Sequence, residues 1–292
     1  MKRREFLRYT AAVAGLSALA PRMAKAEEWG LRIGVTDWDL LGIHYMDHST
    51  PKPEAVGLAK DVGFDGLEIN LGRRPDSIPL TDPGLQEAFL EASEEHDLPI
   101  QSTCLDILHQ NYLKSDPLGE QWVREAIPVT VNLGAQVVLL PFFGDGALET
   151  DEEIDHVADI LGEIAPEAED AGIVLGVENT LSARDNARLI ERADSEAVRI
   201  YYDVGNSHSM GYDIIEEIGW LGADPICQFH IKDNPHYLGE GDIDFNEVFE
   251  AIRAIGFNGW GMLETASPSG DAQADMARNL EFVRETLEEV RS

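Results

Sequence analysis

Short apolar runs alternate with amphipathic segments along almost the whole chain, and this alternation limits the possible folds most strongly. Apolar runs of strand length occur at 31–36, 66–70, 100–104, 137–142, 173–178, 199–203, 226–231 and 259–264. Segments with helical periodicity follow at 53–62, 84–96, 119–133, 151–171, 183–193, 213–221, 245–255 and 272–290. Eight strand–helix units in about 250 residues predict a single-domain α/β fold, the (β/α)8 or TIM barrel. An open doubly wound sheet is the alternative, but no glycine-rich dinucleotide fingerprint follows the first run.

The amino terminus has the composition of an export signal. Arg3 and Arg4 precede a short apolar stretch, and the small-residue pattern Ala-Lys-Ala follows at 24–26. This order predicts a signal peptide, and the paired arginines favour the twin-arginine route. The apolar stretch is shorter than the ~20 residues that a membrane span needs, which disfavours an uncleaved anchor. We therefore predict a twin-arginine signal peptide at 1–26, a barrel at 27–292, a periplasmic or extracellular location and no stable membrane insertion after processing.

The charge of the chain restricts its partners. It has 55 acidic and 22 basic residues, a formal net charge of −33. Such a surface repels nucleic acid and offers little attraction to anionic membranes. Two cysteines, Cys104 and Cys227, lie in apparent strands and are interpreted as small buried hydrophobic residues rather than a disulfide or metal pair. A homo-oligomer stays open, because the sequence does not determine the oligomeric state.

Four consecutive apolar runs end in side chains that bind divalent cations. These residues are Glu178, Asp203, His230 and Glu264. In a barrel the carboxyl ends of all strands open at one mouth, so the four side chains are expected to lie close together. Three carboxylates and one imidazole, without a thiolate, suit Mn²⁺, Mg²⁺ or Co²⁺, with Zn²⁺ as a further candidate. Carboxylates that merely cap the following helices are the alternative, but four at consecutive strand ends favour a metal site.

Several motifs around these positions resemble one protein family. They are Gly-Val-Glu-Asn at 176–179, Tyr-Asp-Val-Gly-Asn at 202–206, Phe-His-Ile-Lys-Asp at 229–233, Leu-Gly-Glu-Gly-Asp-Ile-Asp-Phe at 238–245 and Met-Leu-Glu at 262–264. With these motifs the predicted mature chain resembles the xylose-isomerase-like barrel superfamily of sugar phosphate isomerases and epimerases. The resemblance implies a sugar substrate and one divalent ion, Mn²⁺ first, held by Glu178, Asp203, His230 and Glu264. It also implies that Glu178 and Glu264 act as the acid/base pair.

Further residues are candidates for substrate contacts, namely Glu68, His109, Asn206, Lys232 and His236. Glu68, interpreted as the strand end within the second run, is expected to bond a sugar hydroxyl or to cap a helix, and His109 lies in the loop after the third run. Lys232 is expected either to polarise a carbonyl or to pair with a neighbouring acid. Ketohexose epimerases have histidine and arginine at the positions of Asn206 and His236, which puts ketohexose specificity in doubt. No basic cluster or P-loop marks a phosphate site, so we expect an unphosphorylated sugar.

Four functions are compatible with this pattern to different degrees. The leading interpretation is a metal-dependent sugar isomerase or epimerase that removes a proton next to a carbonyl and passes through an enediolate. A lyase or hydratase acting on keto-sugars or 3-keto-glycosides would use the same site but expel a substituent. A non-catalytic sugar-binding barrel would not need the complete ligand set. An apurinic endonuclease would need more metal ligands and a basic track, and the acidity argues against it.

Overall fold

The computed structural model describes residues 29–42 and 50–292, so the predicted signal peptide lies outside the described residues. Parallel strands close into a barrel in chain order, with each strand paired to the next and the last paired to the first. The strands are β1 Arg32–Thr36, β2 Gly66–Asn70, β3 Ile100–Cys104, β4 Val137–Pro141, β5 Val174–Glu178, β6 Val198–Asp203, β7 Ile226–Ile231 and β8 Trp260–Leu263. This closed eight-stranded barrel confirms the predicted (β/α)8 fold.

Helices connect the strands on the outside of the barrel. They are α1 Asp37–Leu40, α2 Glu54–Val62, α3 Pro83–His96, α4 Pro117–Asn132, α5 Asp151–Ala171, α6 Ala183–Ala193, α7 Val204–Ser209, α8 Ile214–Leu221, α9 Phe245–Ala254 and α10 Ala272–Arg291. Short 3₁₀ helices lie at Pro79–Thr81, Asp106–His109 and Gly144–Gly146. The sequence pattern does not predict α1 and α7, because four to six residues are too few to show a helical period. No helix in the two described ranges combines the length and the apolar character that crossing a membrane requires.

Local capping chemistry sets where the long helices begin and end. Thr150 and Glu153 form a reciprocal capping box at the start of α5, and Gly172 ends this helix with a φ of 70°. Asp244 caps α9 by accepting hydrogen bonds from the backbone N–H groups of Asn246 and Glu247 at 3.0 and 3.4 Å. These capping residues therefore determine where α5 begins and ends and where α9 begins.

The loops at the mouth of the barrel are tied to α10 through a buried carboxylate. Asp275 accepts hydrogen bonds from Tyr237 Oη at 2.8 Å and from the backbone N–H of Ser269 at 2.9 Å. Tyr237 belongs to the loop after β7 and Ser269 to the loop after β8. Burial raises the pKa of Asp275, but a hydrogen bond from Ser269 Oγ at 2.7 Å, together with the two above, holds it below its ordinary value.

The core occupies two regions, and their separation places the functional side chains. A large apolar region fills the space between the strands and the surrounding helices. A smaller one lies inside the barrel and includes Tyr201, Trp260 and Met262. Since successive residues of a strand point to opposite faces, alternate residues of β6 and β7 enter the barrel interior. Asp203 and His230 are direct partners in the register of these strands, so both reach the mouth at one level.

Candidate metal centre and cavity

The mouth of the barrel brings together the four residues that the sequence indicates as metal ligands. Glu178, Asp203, His230 and Glu264 each offer one ligand atom, and these atoms all lie within 4.8 Å of one another. The side chains of Asp203 and His230 are fully buried, whereas that of Glu178 is 4% exposed and that of Glu264 is 21% exposed. His230 Nδ1 faces the cluster, 2.8 Å from Glu178 Oε1 and 3.4 Å from Glu264 Oε2.

The motif Asp203-Val-Gly-Asn206 has a local structural explanation. Asp203 ends β6 and caps α7, because its Oδ1 accepts a hydrogen bond from the backbone N–H of Asn206 at 2.8 Å. Its second oxygen, Oδ2, points to the cluster and lies 2.7 Å from Lys232 Nζ. A Cβ at Gly205 would come within 2.5 Å of Lys232 Cγ and 2.9 Å of its carbonyl oxygen. A side chain at Gly205 would therefore force α7 away from the strand that carries His230.

Lys232 pairs with acids, which is one of the two roles expected for it. Its ammonium group contacts Asp203 and Glu264. Burial lowers the pKa of Lys232, but the carboxylates of Asp203 and Glu264 outweigh this effect and raise the pKa above its ordinary value. Burial also raises the pKa of Glu264, yet Lys232 and His230 bring it down to about 2. The lysine is thus a fixed positive charge within a cluster of carboxylates.

The cluster suits a divalent cation better than it suits a single lysine. Burial raises the pKa of Asp203 to about 7 even though Lys232 lies beside it, and Glu178 and Glu264 add to the increase. The negative charge of the carboxylates therefore exceeds what Lys232 neutralises. Carboxylate oxygens with one imidazole nitrogen are a donor set that Mn²⁺, Mg²⁺, Co²⁺ and Zn²⁺ accept. The residues present fit such an ion.

A cavity of about 560 Å³ opens over the cluster and has a volume suited to a small molecule. Glu178 and Glu264 line this cavity, whereas Asp203 and His230 lie behind them. The opposite wall carries a buried ion pair, in which Arg73 Nε lies 3.1 Å from Asp106 Oδ2. The cavity therefore has an acidic floor and a polar far wall.

Three of the substrate-contact candidates line the cavity. Asn206 lies beside Glu178, with 3.5 Å between its Nδ2 and Glu178 Oε1. His109 stacks on Phe143 at 6.2 Å between ring centroids, and its Nε2 lies 3.8 Å from Asp106 Oδ1. Lys232 is the third.

The other two candidates, Glu68 and His236, do not line the cavity. His236 is exposed in the loop after β7. Glu68 neither caps a helix nor ends its strand, because β2 continues to Asn70, and it is Asn70 that reaches the cavity. Glu68 lies two residues deeper in the barrel and is 0% exposed. The structure therefore does not support the expected contact of Glu68 with a sugar hydroxyl, because Glu68 is the third of the five residues of β2 and not its last.

Sequence reasoning also missed residues of the site. Arg73 follows β2 in a loop, where no periodic pattern indicates which side chains turn inward. Asp39 belongs to α1, and its Oδ2 accepts a hydrogen bond from Thr36 Oγ1 at 2.9 Å. Burial, and after it the charge of Glu264, raises the pKa of Asp39 to about 8. The available signal for Asp39 was a pair of acids, Asp37 and Asp39, within three residues of the end of the first strand.

The fold and the ligand cluster together define a class of TIM barrels with an acidic, histidine-containing centre at the mouth. The family model of xylose isomerase-like TIM barrels matches residues 56–286, and the chain belongs to this family.

Similar proteins include two curated epimerases and one solved structure. The chain is 27% identical over 232 residues to 2-epi-5-epi-valiolone 7-phosphate 2-epimerase of Actinoplanes sp., covering 76% of this chain and 82% of the relative. It is 25% identical over 254 residues to L-ribulose-5-phosphate 3-epimerase of Escherichia coli, covering 79% of this chain and 88% of the relative. The structure of an L-ribulose 3-epimerase superposes with a TM-score of 0.72 at 20% identity, covering 90% of this chain and 96% of the other. The structural likeness concerns the fold alone.

Proposed function

We propose that the protein is a divalent-metal-dependent sugar epimerase or isomerase that moves a proton at a carbon next to a carbonyl group. Membership of the family supports this class, and both curated relatives are epimerases by name. The donor set at the mouth of the barrel supports the dependence on a metal.

One observation carries the proposal. Of the four clustered residues, Glu178 and Glu264 face the cavity, and Asp203 and His230 do not. Glu178 belongs to β5 and Glu264 follows β8, so the two carboxylates reach the cavity from opposite flanks of the cluster. This geometry allows one carboxylate to act on each face of a bound sugar.

The chemistry follows from this division. Glu178, Asp203, His230 and Glu264 would hold the divalent ion, which would supply a Lewis acid for the negative charge that develops on the substrate. One of the two cavity-facing glutamates removes the proton from the carbon next to the carbonyl, and the other returns a proton to the opposite face. Asp203 and His230, which do not line the cavity, serve as ligands only.

The charges of the cavity favour a substrate without a phosphate group. Its described walls carry two strongly basic side chains, Arg73 and Lys232, and each is already paired with carboxylates. Binding a phosphate dianion would break one of these buried pairs, which is costly. We therefore propose an unphosphorylated sugar, although the two curated relatives act on phosphorylated substrates by name.

A substrate panel in D₂O tests the proposal. Chelated protein is reloaded with Mn²⁺, Co²⁺, Mg²⁺ or Zn²⁺ and incubated with ketoses, their phosphate esters and 3-keto-glycosides, and the products are identified by NMR. We expect an epimer or isomer of a free sugar with deuterium on the carbon next to the carbonyl, and no reaction in chelator. An unsaturated product would identify the lyase instead. Turnover without incorporated deuterium would exclude the two glutamates as proton carriers, and preference for a phosphate ester would refute the inference from the cavity charges.

A further inference from the structure

A buried polar layer lies inside the barrel directly beneath the proposed metal centre. It consists of Glu68, Ser102, Tyr201 and Gln228, each at most 1% exposed. Barrel interiors are usually filled by branched aliphatic side chains, and a buried carboxylate is costly unless hydrogen bonds compensate it. None of these four residues lines the cavity, so contact with a substrate does not explain the layer.

The hydrogen bonds of this layer converge on one carboxylate oxygen. Glu68 Oε2 accepts hydrogen bonds from Ser102 Oγ and from Tyr201 Oη, the latter at 2.8 Å. The Gln228 amide donates to both hydroxyls, at 2.9 Å to Ser102 Oγ and 2.7 Å to Tyr201 Oη. Because each hydroxyl accepts a hydrogen bond from the amide, each donates its own hydrogen bond to Glu68 Oε2. The layer thus fixes the orientation of the Glu68 carboxylate.

The other oxygen of Glu68 contacts the histidine of the cluster. Glu68 Oε1 lies 3.1 Å from His230 Nε2, and His230 Nδ1 lies 2.8 Å from Glu178 Oε1. Glu68 Oε1 is therefore placed to accept a hydrogen bond from an N–H at Nε2 of His230. Nδ1 lies on the other side of the ring and faces Glu178 and Glu264, and a ring that binds an ion through Nδ1 carries its proton on Nε2.

We propose that Glu68 is a positioning residue, which holds the Nε2–H tautomer and the ring orientation of His230 so that Nδ1 is the atom that binds the divalent ion. This inference rests on the metal site of the proposed function. Carboxylates that orient a metal-binding imidazole in this way typically change metal affinity 10–100-fold when they are lost. The alternative is that the layer only supports the packing of the barrel, in which case its loss would lower stability and leave metal affinity unchanged.

Metal affinity of matched variants separates the two roles. Glu68→Gln and Glu68→Ala are compared with wild type by calorimetric titration of the chelated protein with Co²⁺ and Zn²⁺. We expect Kd to rise about 10–100-fold in both. Thr103→Val is the control, since Thr103 is also fully buried in β3 but bonds Thr130 Oγ1, at 2.8 Å, outside this layer. The control should lose stability and keep the wild-type Kd; equal Kd values for wild type and Glu68→Gln would overturn the proposal.

A second measurement needs no folded variant. In wild-type protein with ¹⁵N-labelled histidine and bound Zn²⁺, NMR reports which nitrogen of His230 carries the proton. A proton on Nε2 and zinc on Nδ1 support the role of Glu68, and the reverse assignment overturns it. If wild type binds no divalent ion, both this inference and the proposed function fail; if it binds the ion with the reverse assignment, only the inference fails.

Discussion

Replacing Lys232 by methionine should destabilise the protein by an amount that depends on bound metal. Lys232 Nζ lies 2.7 Å from Asp203 Oδ2 and also contacts Glu264, and its side chain is only 13% exposed. Removing one partner of a buried pair typically costs about 3–5 kcal/mol, because the other charge stays buried and uncompensated. For a domain near this size that corresponds to a fall of about 6–20 °C in Tm.

The loss should be large in chelator and much smaller with saturating Mn²⁺, since the ion supplies the positive charge that the lysine no longer provides. Thermal unfolding of wild type and Lys232→Met is followed by circular dichroism at about pH 8, above the pKa of about 7 of Asp203, so that this carboxylate is charged in wild type. Measuring the Tm of wild type and of Lys232→Met, each with and without Mn²⁺, shows whether the ion reduces the loss of stability.

Lys114→Met is the matched control. Lys114 is 15% exposed and pairs with Glu153 at 2.9 Å, away from the cavity. Its replacement should lower Tm equally with and without Mn²⁺. If Lys232→Met lowers Tm equally with and without Mn²⁺, no bound ion compensates the carboxylates beside Lys232, and the proposed metal site is refuted.

Three further predictions concern catalysis, pH and export. Glu178→Gln and Glu264→Gln should each lower kcat at saturating metal by at least about 10²-fold, the low end for a positioned acid or base, with unchanged circular dichroism; retention of turnover would contradict their role. The Asp275 carboxylate has a lowered pKa, so its stabilisation is present above the unfolded value of about 3.9 and lost as pH falls through the folded value. Asp275→Asn should therefore cost about 1.5–3 kcal/mol in urea unfolding at neutral pH, and the difference from wild type should shrink in acid; a constant difference would exclude this linkage. We also propose export by the twin-arginine route: Arg3→Lys combined with Arg4→Lys should leave the precursor in the cytoplasm in cell fractionation, and continued secretion would count against this route.

The periodic elements of the fold could be predicted from the sequence, because strand length, helix period and capping residues are local properties. The approach of Glu178, Asp203, His230 and Glu264 could also be predicted, since parallel strands of one barrel open at the same mouth. The expectation for Glu68 was different, because it took this residue as the end of the second strand. The run at 66–70 and β2 both end at Asn70, so Asn70 reaches the cavity and Glu68 lies two residues deeper in the barrel interior.

Loop residues were missed for a different reason. Arg73 lies on the cavity wall because a buried partner, Asp106, comes from the loop after another strand. Such a pair depends on two loop conformations that no local pattern encodes. His236 was predicted to contact the substrate but does not line the cavity. It was chosen because it lies six residues after His230, and that spacing does not show that the loop exposes its side chain.

The four proposed ligands come from one half of the barrel, β5 to β8, while Arg73, Asp106 and His109 follow β2 and β3. This gives the barrel a division of labour between its two halves. Loops of the amino-terminal half can vary in sequence and length without displacing a ligand, so a lineage can change the sugar it recognises while it keeps the same proton chemistry. For enzyme design, the loops after β2 and β3 are the region to randomise, whereas the strand ends of the second half and the buried residues Glu68 and Ser102 of the first half are kept constant.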